Sequence, residues 1–313
     1  MPTAYYRMPQ ILTAEFYWKD AILATGNRTD EASLMTYAKS ASYLTNLLCR
    51  DADYSGALKL ALPVVSRLEQ LSATLLAITA IARDLQMSMV PRIFPKCEGL
   101  DMYASMAPAK EVGGDLYGYL LQGDMLYFCI GDVSGKGVPA SLFMAQGLRL
   151  FHILASQGMQ PAEIATLMNE EFTENYEQGM FVTMFIGLLN LKTGHLDFCN
   201  AGHNYPVIGG GESQGDFLHP DSNAPIGFWP GYKYKGEELD SIKGRPFFLY
   251  TDGLNEAENM QQERLGDERL LELLRATRFE NSRQVIDTLA AAVEQHRNGA
   301  EPNDDLTMMC IKL

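Results

Sequence analysis

Acidic side chains in glycine-punctuated turns, each beside an apolar strand-like run, are the groups in this chain best suited to chemistry. Gly131-Asp132-Val133-Ser134-Gly135-Lys136-Gly137 follows the apolar run 125–130, and Phe247-Phe248-Leu249-Tyr250-Thr251-Asp252-Gly253 repeats the construction. Gly113-Gly114-Asp115 and Asp304-Asp305 add two more acidic turns beside β-like runs. A buried strand that ends on an exposed carboxylate delivers it to a site, and several such strands suggest a hard cation. Asp115, Asp132, Asp252 and Asp304 are separated by 17, 120 and 52 positions. That excludes a local calcium loop, whose ligands alternate within about twelve residues. These carboxylates can meet only through the fold. All-oxygen ligation without a histidine-spacing motif favours Mg²⁺ or Mn²⁺ over zinc or copper. The neighbouring glycines suit such a site, because they permit positive φ and let a backbone carbonyl or bound water come close. Taken singly, each turn is an ordinary strand terminator. Ser134 has no histidine base at a suggestive spacing and reads as a small turn residue rather than a nucleophile.

The elements that must position these turns are short strands. Beyond Pro91 the chain alternates β-like runs with glycine turns, at 100–107, 116–121, 125–130, 182–191, 195–200, 206–208, 245–250 and 306–311. Helices are predicted over 139–157, with Leu142, Ala145, Leu148 and Ile153 as the apolar face, and over 161–176, 268–277 and 283–297. From 31 to about 92 the pattern is helical throughout. Val64, Leu68, Leu71, Leu75, Ile78, Ala82, Leu85 and Met89 recur at spacings of four and three, and Pro63 is tolerated if it opens this helix. Such a seam packs on the earlier helix (Leu34, Ala38, Ala41, Leu48), on the following domain, or on a second copy in a parallel dimer.

Composition bounds the function. The chain has 313 residues, 47% of them hydrophobic, enough for a sizeable core. Against 39 acidic side chains stand 25 basic ones, a formal charge of −14. That charge argues against sequence-independent binding to nucleic acid or to an anionic membrane. No uninterrupted apolar run approaches the length of a membrane helix, and residues 1–10 lack a basic-then-apolar signal pattern, so a soluble, cytoplasmic protein is expected. Five cysteines without a CxxC pair, Cys49, Cys97, Cys129, Cys199 and Cys310, indicate neither a disulfide framework nor a thiolate zinc site.

Five motifs in order, Glu111-Val-Gly-Gly-Asp115, Gly131-Asp-Val-Ser-Gly-Lys-Gly137, Asn200-Ala-Gly-His203, Tyr250-Thr-Asp-Gly253 and Asp304-Asp-Leu-Thr307, carry a resemblance. Phe181-Val-Thr183, Pro225-Ile-Gly227 and Gly266-Asp-Glu-Arg-Leu270 are less diagnostic companions. From about position 81 to the end the chain resembles the stage II sporulation protein E-type serine phosphatases, a bacterial branch of the metal-dependent protein phosphatases. The resemblance implies an α+β fold, a central β-sandwich flanked by helices, with two metal ions at one end. It implies a phosphatase domain over 91–313 behind a regulatory or dimerising helical segment over 1–90.

Carried onto this sequence, the resemblance makes Asp132, Asp252 and Asp304 the catalytic metal ligands. Asp132 would bridge both ions, and the Val133 carbonyl would complete one of them. Asp252 and Asp304 would hold the second ion, and Asp115 would bind through water or take a third. Asp305 ranks below Asp304, because adjacent side chains of an extended strand point to opposite faces. Lys110 and Lys136 flank the metal aspartates, either as contacts to substrate phosphate or as solvated turn lysines. His203 reads as a hydrogen-bonded turn residue or an acid. Where the family often carries an aromatic-acid pair, Tyr117 is followed here by Gly118. The activity implied is attack of a metal-bridging hydroxide on phosphoserine or phosphothreonine with Mn²⁺ or Mg²⁺. The implied substrate is an anti-anti-sigma factor in a partner-switching pathway. The rival readings are a pseudophosphatase scaffold that binds a phosphorylated partner, and a hydrolase of small phosphoesters, which the absence of a nucleotide-binding glycine loop disfavours.

Overall fold

The chain divides into two units, Met1–Thr79 and Ala80–Leu313. The computed structural model describes residues 80–313 apart from 111, 176–178, 211–212, 222 and 277–279. The predicted seam from Val64 to Ile78, with its partner positions Leu34 to Leu48, and Cys49 lie outside the described residues.

Two five-stranded antiparallel sheets face one another. The first has the order β1 (Asp101–Ala107), β10 (Leu306–Lys312), β9 (Phe247–Tyr250), β6 (Val207–Gly210), β7 (Ser213–Phe217). The second runs β2 (Leu116–Gln122), β3 (Met125–Val133), β4 (Val182–Asn190), β5 (Leu196–Ala201), β8 (Glu237–Leu239). Central strands such as β3 and β4 are apolar almost without alternation, because one face meets the opposite sheet and the other is covered by helices. Between the sheets, Phe128 stacks near Phe185 (centroids 6.1 Å), Phe185 near Phe198 (5.4 Å), and Phe247 of the facing sheet approaches Phe185 at 5.7 Å. Side chains at Gly187 are excluded by the Phe128 ring. The sequence anticipated neither β7 nor β8. Both are short edge strands, and β8 reads Glu-Glu-Leu, so neither carries a run of apolar residues.

Helices α1 (Val138–Ser156) and α2 (Pro161–Asn175) cover the second sheet, and α3 (Asp267–Ala276) and α4 (Ser282–Arg297) cover the first. Pro139 sits in the first turn of α1 behind Gly137, whose φ of 77° starts the helix. The expected apolar face of α1 needs correction. Leu148 is buried and Ala145 half-buried, whereas Leu142 is 62% and Ile153 38% exposed. Phe143, Met144, Phe151 and Leu154 face the sheet instead. The helix is apolar on much of its circumference, so periodicity could not choose the inner face; the bulkier phenylalanine side wins the contact. By length and a mean hydropathy of 1.3, α1 could cross a membrane, but its inner face is built into the core. Cys129, Cys199 and Cys310 are buried free thiols, and burial pushes Cys199 and Cys310 up to about 12.

Residues 80–89 are helical and lead into the sandwich. Gln86 and Val90 are buried, while Ile81, Leu85 and Met89 are 61, 58 and 50% exposed. Of the described seam positions, Leu85 and Met89 are therefore exposed and Ala82 is half-buried.

Candidate metal centre

Four strands drawn from both sheets bring their acidic ends together. Asp132 closes β3, and Asp115 precedes β2, whose Leu116 is paired with Gly131. Asp252 follows β9 by two residues, and Asp304 and Asp305 precede β10. Strand pairing within one sheet and sandwich packing between sheets thus do what 189 positions of sequence between Asp115 and Asp304 cannot. Hydrogen bonds join the sheets at this end, among them that from the Thr251 hydroxyl to Asp115 Oδ2 at 2.7 Å. Thr307 N in turn donates to the same hydroxyl oxygen at 3.0 Å.

The carboxylates repel one another. Asp115 is buried and held well above the usual carboxylate range, first by desolvation and then by the charges of Asp132 and Asp305. Burial, with the charges of Asp252, Asp304 and Asp305, pushes Asp132 up to about 7. Asp252 is raised by burial and by Asp304 and Glu256, with Lys136 opposing. A cation among these oxygens would reverse each shift, so the donor set fits a hard divalent ion. At this end the Lys136 Nζ lies 3.0 Å from Asp304 Oδ2 and donates to the Asn303 carbonyl at 2.9 Å. Lys110 is exposed on the turn before Asp115. Among the described residues, a trio whose ligating atoms all lie within 4.8 Å of one another occurs elsewhere, His195, Asp197 and Glu238 at the β5–β8 edge. Glu238 there is 70% exposed, and His195 Nε2 to Asp197 Oδ1 at 3.3 Å is an ordinary imidazole–carboxylate pair.

Asp304 and Asp305 divide the work. The Asp305 carboxylate is spent on the backbone, accepting from Ala109 N and Gly114 N at 2.8 Å each, so it shapes the turn that presents Asp115. Asp304 faces Lys136 and the charges of Asp132 and Asp252. Replacing Asp305 by alanine is expected to destabilise the domain by about 1–3 kcal/mol for each amide left unpaired. Replacing Asp304 by asparagine should leave the thermal midpoint close to wild type and remove activity. Melting curves and phosphate release measured on both variants check this, and the reverse pattern would exchange the two roles.

The glycines serve space more than φ. Gly113, Gly114, Gly131 and Gly253 are not left-handed, in contrast to Gly135 and Gly137. A Cβ at Gly253 would overlap the Asp305 carbonyl oxygen, and one at Gly113 would overlap the Asp305 carboxylate. At Gly114 it would stand 2.9 Å from the Val133 carbonyl oxygen, which therefore lies against this turn. A side chain at Gly118 would run into Leu148 of α1, so position 118 faces the helix layer and the absent acid leaves no gap among the carboxylates.

His203 is not poised as an acid. It is 5% exposed, burial pushes its imidazole down to about 4, and Nδ1 lies 3.1 Å from the Thr183 hydroxyl. Asn200 clamps its backbone from both sides, accepting from His203 N at 2.7 Å and donating to its carbonyl at 3.0 Å. Ser134 is likewise a turn residue, its hydroxyl accepting from Phe181 N at 3.0 Å. Sequence reasoning missed Gln86. From the leading helix its amide donates to Gly113 O at 2.6 Å and accepts from Gly113 N at 3.1 Å, fixing the turn two residues before Asp115. A lone glutamine in a helical segment carries no signal that it will meet a turn 27 positions away. A cavity of about 830 Å³ lies apart from this chemistry: Met89, Leu142, Ile153 and Phe172 line it, and none of the clustered aspartates does.

The sequence profile of the family described as Stage II sporulation protein E (SpoIIE) matches residues 122–313. The chain belongs to the SpoIIE family. The phosphoserine phosphatase RsbU of Bacillus subtilis is 30% identical over 197 residues, covering 61% of this chain and 58% of RsbU. Protein IcfG of Synechocystis is 28% identical over 257 residues, covering 73% of this chain and 40% of IcfG. This SpoIIE-family chain therefore aligns with between two fifths and three fifths of each relative. Among solved structures, the SiaA-PP2C domain of Pseudomonas aeruginosa superposes with a TM-score of 0.69 at 19% identity, over 77% of this chain and 98% of that domain. The described unit is a SpoIIE-type phosphatase domain with the PP2C-like fold, two antiparallel sheets flanked by helices.

Proposed function

We propose that this SpoIIE-family chain hydrolyses phosphoserine or phosphothreonine on a regulatory protein, with two Mn²⁺ or Mg²⁺ ions at the Asp132 end of the sandwich. The observation that carries the reading is the convergence of Asp115, Asp132, Asp252 and Asp304, three of them raised by burial and mutual charge. Asp132 would bridge the ions, with the Val133 carbonyl completing one. Asp252 and Asp304 would hold the other, and Asp115 would serve a third ion or a bound water. When bound, the ions supply a water activated near neutral pH and offset the charge of the phosphoryl group.

The chain's own part is positioning. Thr251 orients Asp115, Asp305 and Gln86 hold the 109–115 turn, and Gly253 lets the Asp252 turn lie against Asp305. Lys136 Nζ lies 3.0 Å from Asp304 Oδ2, so with a cation held by that carboxylate its ammonium would be available to donate to a phosphate oxygen. Lys110 is placed on the neighbouring turn for the same task. With a net charge of −14, such local cations are what let a dianionic group approach.

Retention of all three catalytic carboxylates favours turnover over a scaffold. The likeness to RsbU, a phosphoserine phosphatase, supports phosphoserine as the substrate group. The sequence resemblance extends this to a phosphorylated anti-anti-sigma factor in a cytoplasmic partner-switching pathway. Exposure of Leu85 and Met89 supports a dimer joined through the N-terminal helical segment, with 1–90 as its regulatory part.

Incubation with an aryl phosphate and with a phosphoserine protein, in Mn²⁺ and then in excess chelator, is expected to give release from both that chelator abolishes. No metal-dependent release from either by folded protein removes the enzyme reading. Sedimentation of the same preparation, with and without the residues before Arg83, is expected to give a dimer and a monomer respectively.

A further inference from the structure

Two large aromatic side chains stand exposed on a loop held from beneath. Phe228 is 59% and Trp229 62% exposed. Their loop is not slack: Val182 and Ile226 exchange backbone hydrogen bonds at 2.9 and 2.8 Å. The wholly buried Asn169 of α2 accepts from Gly227 N at 2.9 Å and donates to the Trp229 carbonyl at 3.0 Å. Tyr234 adds a hydroxyl donor to the Pro225 carbonyl at 3.0 Å. Buried polar groups thus fix a backbone whose only large side chains at the tip point outward. Exposed apolar surface presented so rigidly marks a contact site, because little ordering entropy is lost when it is covered.

The patch lies beside the proposed metal centre. The Phe228 ring meets Phe181 edge to face at 5.4 Å. Phe181 is bound to the metal turn through Ser134, whose N donates to the Phe181 carbonyl at 2.8 Å. Asp132 is paired with Thr183, two positions along the strand from Phe181, so Phe181 continues the strand face that carries Thr183. A protein whose phosphoserine reaches Asp132 extends beyond that residue on both sides, and this platform adjoins the turn that carries Asp132.

We infer that Phe228 and Trp229 form a docking platform for the phosphoprotein substrate, receiving an apolar side chain near its phosphoserine. The inference rests on the phosphatase reading above. Charge favours this occupant over an electrostatic one: at −14 the chain offers a phosphorylated partner no net long-range attraction, so apolar contact beside the site adds affinity that charge away from it does not. A small aryl phosphate carries no polypeptide flank to lay on the loop. The platform therefore separates proteins from small phosphoesters as substrates.

Phe228→Ala and Trp229→Ala are tested against both substrates. For a phosphoserine protein kcat/KM is expected to fall by about tenfold or more, mostly through KM. For the aryl phosphate it should stay within about twofold, which also certifies that the variants fold with an intact metal site. A second readout uses the Trp18→Phe, Asp132→Asn double variant, where Trp229 is the remaining tryptophan. Its emission should shift on addition of the phosphoprotein and not of the aryl phosphate. Unchanged KM for the phosphoprotein with no emission shift overturns the platform, and so does an equal loss on both substrates. If wild type releases phosphate from neither substrate, the phosphatase reading fails instead.

Discussion

Asp132→Asn is expected to lower metal-dependent phosphate release by about 10²–10³-fold or more, the scale of removing one central electrostatic group. The carboxylate is the one that both sheets surround: β3 delivers it between Asp115 on its own sheet and Asp252 and Asp304 on the other. Asparagine keeps the shape and one acceptor oxygen but removes the charge that two cations would share. Its effect on the fold should run the other way. Burial and neighbouring acids push Asp132 up to about 7, so its ionised form is a liability to the metal-free protein at neutral pH. Chelated Asp132→Asn should therefore melt no lower than chelated wild type. Steady-state assays in Mn²⁺ beside melting curves in chelator read both quantities, and wild-type turnover in the variant would end the assignment of Asp132 as the shared ligand.

Metal binding should displace protons, and its strength should climb with pH to about 7 and then level. The sign follows from the folded and unfolded states of Asp132. In the unfolded chain it ionises near 3.8, whereas in the folded chain it keeps its proton to about 7. Its contribution to stability is thus complete below 3.8 and is lost as pH rises through 7. Asp115 and Asp252 are raised for the same causes and act in the same direction. The chelated protein should therefore lose stability from this cluster between acid and neutral pH, and a divalent cation should restore it. For one displaced proton, apparent affinity gains about tenfold per pH unit below 7. Thermal shifts with titrated Mn²⁺ at about pH 5.5 and about pH 8 measure the effect. An equal shift at both values would mean that the carboxylates are already ionised and the cluster is not the binding site.

Much of this was legible in the linear chain, and the exceptions share a cause. The runs 125–130 and 182–191 became β3 and β4 because a continuous apolar stretch bounded by turn residues can bury both faces. Helix α1 was found at its place, but its inner face was not, since Leu142 and Phe143 are equally apolar and only the shape of the sheet distinguishes them. The glycines of the acidic turns are read from the sequence for their freedom of φ and for the close approach of a carbonyl or bound water. At Gly113 and Gly253 they matter because Asp305, distant in sequence, comes too close for a side chain.

Order and type of residues were enough to name the family. A carboxylate turn after an apolar strand has the same physical meaning wherever it stands, and five motifs in one order gave the family resemblance that the profile match supports. Partner choice required tertiary structure. Asp304 faces the cluster while its neighbour Asp305 caps a turn about 190 positions away, and His203 is a neutral buried anchor. Gln86 holds Gly113, and Phe228 and Trp229 are left uncovered beside the site. Each of these depends on what lies across a space that the backbone crosses only when both sheets are formed. Burial, crowding and the fields of neighbouring charges are properties of that assembled space, whereas strand period, turn composition and the presence of a carboxylate are properties of a local stretch of chain.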